Sequence, residues 1–484
     1  MIYAIVPLFL AVLCAWLGPR PLSLLILFGY LAIEGFLKLV SNYSPIVHVG
    51  IDLIVLALSA TVVLGAVVLR RARLPHLPWT RLILLYAFWL VLQLFNPHSA
   101  GLVPSLASFK IHLTMVPLYF LGAALFREPR EVTQFLTAVA VIAMVPFGMA
   151  LAQYALGPAS VLDLSPRFWQ NISHFHEWRP FGTSATPGGS SVYAYLAIPL
   201  ALVVLVAPSA RHGSRFLALL CITLAAATFV VSGVRQVFLG CVLAVLIMTG
   251  LMLSRGRGRV VAALLLVAAL VFSAYTVVDS VLRPMATAAL QRDPTLPDIW
   301  RERDVTRRML TLTDPVTYLE ARGNPLGAIW YRVQRYPFGA GLGRTGSAAG
   351  AFQREIAADP RSAAISRDVG WSDNFFADMI VETGVPGVVM LTLILLGMLA
   401  GAWRLARTAQ DPTTVAAAAA LAGFFFSILA MSWGSQPLLG NPITAYFWFL
   451  SGVLAALRRM EAEAPTPGAE APAVEPALAT AGAR

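Results

Sequence analysis

Apolar stretches of bilayer-crossing length recur through most of this 484-residue chain, and they settle its class before any motif is read. A hydrocarbon core about 30 Å thick takes about 20 apolar residues per helical span, and by that measure about thirteen segments can be marked. They run 3–17, 22–40, 51–69, 81–95, 111–126, 132–156, 191–207, 216–232, 236–253, 260–278, 385–402, 414–432 and 442–457. With 58% hydrophobic and 12% charged residues and a mean hydropathy of +0.74, a soluble core and surface are excluded. The expected fold is all-α: a polytopic integral membrane protein of about thirteen transmembrane helices, with one large extracytoplasmic loop containing short helices. The divisions expected are a transmembrane bundle over 1–278, the loop over 279–372, helices completing the bundle over 373–460, and a cytoplasmic tail over 461–484. That tail is alanine, proline and glutamate, a composition with too little apolar surface to offset the entropy of ordering.

Orientation follows from basic residues in short loops, which stay on the cytoplasmic side. One alternating set of connections carries Arg20, Arg70, Arg71, Arg73, Arg81, Arg127, Arg130, Arg211, Arg215, Arg255, Arg257, Arg259, Arg404, Arg407, Arg458 and Arg459. The opposite short connections around Ser41 to Gly50, Asn96 to Phe109 and Trp433 to Asn441 carry none apart from Lys110 at one edge, so the amino terminus is expected outside and the carboxyl terminus inside. Residues 1–17 have the apolarity of a signal peptide, but neither a basic leader nor a small-residue cleavage pattern follows, so they read as a span. Cys14, Cys221 and Cys241 all fall within spans and read as packing residues rather than disulfides or metal ligands.

Between Ser280 and Trp371 the pattern changes to a water-compatible stretch with thirteen arginines, no lysine, and ten carboxylates if Asp279 is counted. A large arginine-rich loop on a membrane protein points to something anionic at the membrane surface, and phosphate is the first candidate. Arginine makes up thirty-three of the chain's thirty-five basic residues, and the carboxylates beside the loop arginines allow many exposed ion pairs of little energetic value. Position therefore has to select among them.

Three stretches stand out. Arg179 to Leu196 reads RPFGTSATPGGSSVYAYL, where Gly182, Pro187, Gly188 and Gly189 either bring backbone close to a partner or make an ordinary glycine-proline turn. Ser232 to Arg235 is so short a connection that Arg235 sits at a helix end near the headgroups, either snorkelling to lipid phosphate or aiming its planar fork at a substrate phosphate. The third runs LEARGNPLGAIWYRVQRYPFGAGLGRTG from Leu319 and resumes as WSDNFFADMIVETGVPG. Arg322, Arg332, Arg335 and Arg344 bracket an apolar-periodic segment there, and Gly339, Gly341, Gly343 and Gly346 have the spacing of a backbone cradle for an anion. Pro386 and Gly387 are expected to divide a short surface helix, Asn374 to Thr383, from the span below it.

Taken together, Arg179 with Gly182 and Pro187, the Ser-x-x-Arg turn ending at Arg235, Arg322 ahead of the PFGAGLG run, and Asp373-Asn374 through Glu382-Thr383-Gly384-Val385-Pro386-Gly387 resemble the O-antigen ligase and polysaccharide polymerase superfamily. The similarity spans Arg179 to the last helix. It implies a C-type glycosyltransferase at the outer face of the bacterial inner membrane, moving a glycan from polyprenyl pyrophosphate to an acceptor hydroxyl. Members that ligate O-antigen to lipid A core typically carry histidine immediately before the asparagine. Asp373 stands there in this chain, which favours the polymerase branch.

The chemistry divides between two kinds of group. Charge building on the departing pyrophosphate oxygen can be stabilised by fixed guanidinium groups, for which Arg235 and Arg322, with Arg332 as a third, are the candidates. Arg179, Arg332, Arg335, Arg344, Asn374 and Glu382 are expected to bind substrate. Asp373 is the candidate general base for the acceptor hydroxyl, or else a helix cap. No cofactor or metal is expected: Glu302 and Asp304 are interleaved with Arg301 and Arg303, and His174 with His176 lacks a carboxylate cluster. The implied partners are polyprenyl-pyrophosphate-linked oligosaccharide and membrane lipid, with a flippase and chain-length or export proteins, and no nucleic acid. A transporter is the competing reading, resting on Glu34 and Lys38, which are spaced to pair across one helical turn.

Overall fold

The computed structural model describes residues 2–42, 44–64, 77–162, 178–208, 210–256, 258–292, 325–369 and 374–463, and those residues form helices and connections with no strand among them. In chain order the helices are α1 Ile2–Leu17, α2 Pro21–Val40, α3 Pro45–His48, α4 Gly50–Val63, α5 Thr80–Leu94, α6 Leu102–Leu113, α7 Pro117–Leu125, α8 Pro129–Leu156 and α9 Ala159–Leu162. There follow α10 Ser190–Val206, α11 His212–Ser232, α12 Arg235–Leu253, α13 Arg259–Val277, continued by a π-turn, and α14 Arg283–Arg292. Beyond the arginine-rich stretch come α15 Pro325–Arg335, α16 Gly346–Ala351, α17 Gln353–Ala358 and α18 Pro360–Val369. The last three are α19 Phe375–Thr408, α20 Pro412–Met431 and α21 Ile443–Glu463.

Eight helical segments are long and apolar enough to cross a membrane, and Ile5–Leu17, Gly50–Val63, Thr80–Leu94 and Ser190–Val206 are shorter apolar helices. With α21 they fall one for one on the thirteen apolar segments of the sequence, and the protein is an all-α, multi-pass membrane protein. Short polar signals set the helix starts. Prolines open α2, α7, α8 and α20, where a missing N–H costs nothing. Glu128 and Glu131 form a capping box on α8, and Asp411 accepts from the Thr414 amide at 2.7 Å on α20.

Small residues let the central helices touch. A Cβ on Gly122 of α7 would lie 2.4 Å from the Phe449 carbonyl oxygen of α21, and one on Gly452 would lie 2.2 Å from that of Tyr119. Gly423 of α20 meets the Ala244 carbonyl of α12 in the same way, at 2.2 Å. In a bilayer, where apolar side chains gain nothing by leaving lipid, such backbone proximity is what holds helices together. Alanine-rich α20 is accordingly the enclosed centre of the bundle, 83% buried over its most apolar window, whereas the Val261–Arg292 segment is 17% buried and turns Leu265 and Phe272 outward.

Candidate functional site

The site is built around a broken helix. Pro386 cannot donate to the carbonyl four residues back, and Gly384 adopts φ 69°, ψ −179°, so α19 is interrupted two residues after Glu382. A break inside a bundle strands backbone polar groups, which a membrane protein must satisfy from within. The 337–340 segment does so: the Ala340 amide donates to the Val381 carbonyl at 2.6 Å, and the Val385 amide donates to the Pro337 carbonyl at 2.8 Å. Trp89 of α5 donates its indole N–H to the Thr383 carbonyl at 2.7 Å. The half-helix ahead of the break is not the surface helix the sequence suggests. Residues from Phe375 to Gly384 are almost all buried, because this segment is walled in by α5, α6 and the 337–346 loop.

The glycine run is occupied by the protein itself. Gly339, Gly341 and Gly343 all have positive φ, and a Cβ would strike the Gly384 amide at 2.8 Å, Ser99 at 2.8 Å and the Pro104 carbonyl carbon at 2.6 Å respectively. The cradle expected to hold a substrate anion is filled from within the protein, by the Glu382 carboxyl group. Its Oε1 accepts from the Gly343 amide at 3.0 Å and the Thr345 amide at 3.2 Å, while Oε2 accepts from the Ser108 hydroxyl at 2.6 Å. His112 Nε2 stands 3.1 Å from the same Oε2, and its Nδ1 meets the Tyr86 hydroxyl at 3.4 Å. At 2% exposure Glu382 fastens the loop to α6 from inside.

Two loop arginines are similarly engaged. Arg332, 4% exposed, donates to Asp378 Oδ1 at 2.7 Å and to the Val369 carbonyl at 2.8 Å, and Gln436 completes the set on the other Asp378 oxygen. Arg344 donates to the His98 carbonyl from Nε at 2.8 Å and to the Ser99 carbonyl at 2.8 Å. Arg335 is exposed and reaches Asp368 at 3.5 Å. Hydrogen bonds from Tyr331 and Tyr336 hold the Asp368 carboxyl below its ordinary pKa. Asp378, Gln436, Ser108 and His112 were not picked out by sequence reasoning; the one available signal was that Asp378 and Glu382 lie four apart, on one face of a helix.

A second assembly gathers around the end of α20. Gln153 of α8 accepts the Phe181 and Gly182 amides at 2.9 and 2.7 Å and donates to the Gly182 carbonyl at 3.0 Å, fixing the chain just after buried Arg179. Gly188, at φ 71°, presses on the Arg235 turn, its would-be Cβ 2.6 Å from Val234 and 3.0 Å from the Ser232 carbonyl. Arg235 opens α12, and one turn further on Gly240 abuts Met431, the last residue of α20. The next two residues of that connection receive the start of the same half-helix: the Phe375 amide donates to the Ser432 carbonyl at 3.0 Å, and Asn374 donates to the Trp433 carbonyl at 3.2 Å. Asn374 also caps α19, accepting from the Ala377 amide at 3.0 Å. The structure thus brings the Arg179 loop, the Arg235 turn and Asn374 to one end of the bundle. Asp373 and Arg322 lie outside the described residues, as do His174, His176, Glu302 and Asp304.

Glu34 and Lys38 pair at 2.8 Å across one turn of α2, as their spacing predicts. Beside them Lys110 pairs with Asp52 at 2.5 Å and donates to the His48 carbonyl at 3.3 Å. These charges neutralise one another where α2 ends and α4 begins. Among the described residues, no group of three or more His, Cys, Asp and Glu side chains is arranged to hold a metal ion.

Residues 217–392 match the family model described as O-antigen ligase. The matched segment takes in most of α11, the Arg235 turn, the arginine-rich stretch and α19 as far as Thr392, while the contributions of α5, α6 and α8, the Arg179 loop, the α20 end and Gln436 lie outside it. No curated protein matches the chain.

Proposed function

We propose, for a chain that belongs to the O-antigen ligase and polysaccharide polymerase superfamily through residues 217–392, that it polymerises polyprenyl-pyrophosphate-linked oligosaccharide repeat units at the outer face of the bacterial inner membrane. In this reading the amino terminus is outside, the carboxyl terminus inside, and the reaction needs no metal. The observation that carries it is that Gly188 of the Arg179 loop seats on the Arg235 turn, while Gly240 of α12 and the Asn374 cap both meet residues 431–433.

As the sugar C1 to pyrophosphate bond breaks, negative charge grows on the departing oxygen. Arg235 and Arg322 stabilise it by preorganised charge, with Arg179 holding the second phosphate. Asp373 takes the proton from the attacking acceptor hydroxyl, help worth about 10²- to 10⁴-fold in such sites. Asn374, tied to both Ala377 and Trp433, fixes the start of the helix that follows Asp373 in the chain. Arg332, Arg344 and Glu382 act as positioning residues: their partners hold the 337–346 loop and the half-helix in register, and Arg335 serves at the loop surface.

The family description itself favours a second reading, ligation of the glycan to a separate acceptor by the same chemistry. Purified protein in lipid nanodiscs, supplied with lipid-linked repeat units alone, distinguishes the two. Products lengthening in whole repeat units support polymerisation. Transfer only when a second acceptor is added would replace it with ligation, and no glycan transfer under either condition would remove the enzymatic reading.

A further inference from the structure

We infer that α15 is an interfacial helix lying in the lipid headgroup layer, so that the arginine-rich segment is anchored to the bilayer as well as to the bundle. The inference rests on the membrane fold and not on the reaction. In α15 the apolar side chains Leu326, Ile329, Trp330 and Val333 fall on one stripe at helical spacing. A helix docked on a protein normally turns such a stripe inward. Here Leu326 is 65% and Trp330 63% exposed, while the side chain committed to the interior is Arg332, at 4%. The helix is held by its charge and offers its apolar edge outward.

That edge continues a surface already committed to lipid. Helix α5 is an apolar membrane helix whose outward stripe is Leu84, Phe88, Leu92 and Phe95, each between 44% and 79% exposed. At the end of this stripe Gln93 donates to the Phe338 carbonyl at 2.9 Å and Asn96 donates to the Gly339 carbonyl at 3.2 Å, which sets Phe338, itself 69% exposed, beside it. Two residues, Tyr336 and Pro337, separate Phe338 from the end of α15. The opposite edge of the helix is hydrated chemistry: Tyr331, Arg335 and the following Tyr336 converge on Asp368, with Gln334 exposed between the two edges. An apolar edge with tryptophan, a polar edge with arginine, and a membrane helix alongside are the requirements for a helix at the headgroup and acyl-chain boundary.

Nitroxide labels on the full-length protein in nanodiscs test this. Single cysteines replace Leu326, Trp330 and, as a water-facing control, exposed Ala357 on α17; the native cysteines are buried and supply the unlabelled background. Collisions with oxygen, which concentrates in acyl chains, and with a water-soluble nickel complex are compared. The oxygen-to-nickel ratio at positions 326 and 330 is expected to exceed that at 357 by at least about five-fold, as for a helix sunk several ångströms into the interface. Ratios equal to the control would show a face turned to water and open to glycan, and protection from both reagents would show a protein neighbour covering it; either result overturns the inference. Leu326→Cys lies two turns from the Arg332 ion pair and keeps the test open should Trp330→Cys fail to fold.

Discussion

Two glycine-rich connections in this protein look alike as sequence and are secured by opposite means. The 182–189 turn is held by a neutral amide, Gln153, and spends its close approach on the Arg235 turn. The 339–346 run is held by a buried carboxylate, Glu382, and spends its close approach on a break in α19 and on the start of α6. Glycine spacing reports that backbone must come near something, and that something can be the protein's own backbone as readily as a phosphate. Where an internal carboxylate already fills the cradle, the site for an external anion has to be sought at the other connection.

The sharpest break in that comparison comes from Arg235→Ala. Glycan transfer should fall by at least about 100-fold, the order lost when one preorganised charge partner of a transition state is removed, with membrane insertion retained. Asp373→Asn should lose turnover comparably while lipid-linked donor still binds, read by single-turnover rates against donor retention. Glu382→Ala should act on the fold: it leaves the Gly343 and Thr345 amides, the Ser108 hydroxyl and His112 facing a cavity, at about 1–3 kcal/mol for each group left unsatisfied. A large drop in melting temperature is expected, with Glu382→Gln, which keeps an acceptor for the two amides, recovering part of it.

The glycines sharpen the contrast further. Gly343→Ala should lower the melting temperature with donor KM unchanged, whereas Gly188→Ala should raise donor KM by displacing the Arg235 turn; steric insertions of this kind cost about 1–3 kcal/mol. Gly346→Ala should be mildest. Its nearest neighbours would lie at 3.7 and 3.8 Å, so only the left-handed backbone strain of about 1–2 kcal/mol remains. Thermal unfolding in nanodiscs ranks the three.

The membrane helices were legible because bilayer thickness imposes a length and a composition on every span, and each apolar segment found its helix. The break near Pro386 was legible too, since proline removes a donor wherever it stands. What the sequence did not give was the partner of each exposed-looking charge. Arg332 and Asp378 are forty-six residues apart, and Ser108 and Glu382 two hundred and seventy-four, so no local pattern links them. The half-helix read as superficial because Asp378 and Glu382 look hydrophilic, yet both are buried where Arg332, Gln436 and the loop amides hydrogen-bond them.

Direct titration with polyprenyl pyrophosphate bearing no sugar tests the central claim, that the diphosphate is gripped at the Arg235 and Arg179 end and not in the glycine run. Binding to the wild-type protein in nanodiscs should weaken by about ten-fold or more in Arg235→Ala, on the scale of one lost charge-assisted contact, and stay within about two-fold in Glu382→Gln. Unaltered binding in Arg235→Ala, with loss in Glu382→Gln, would contradict it.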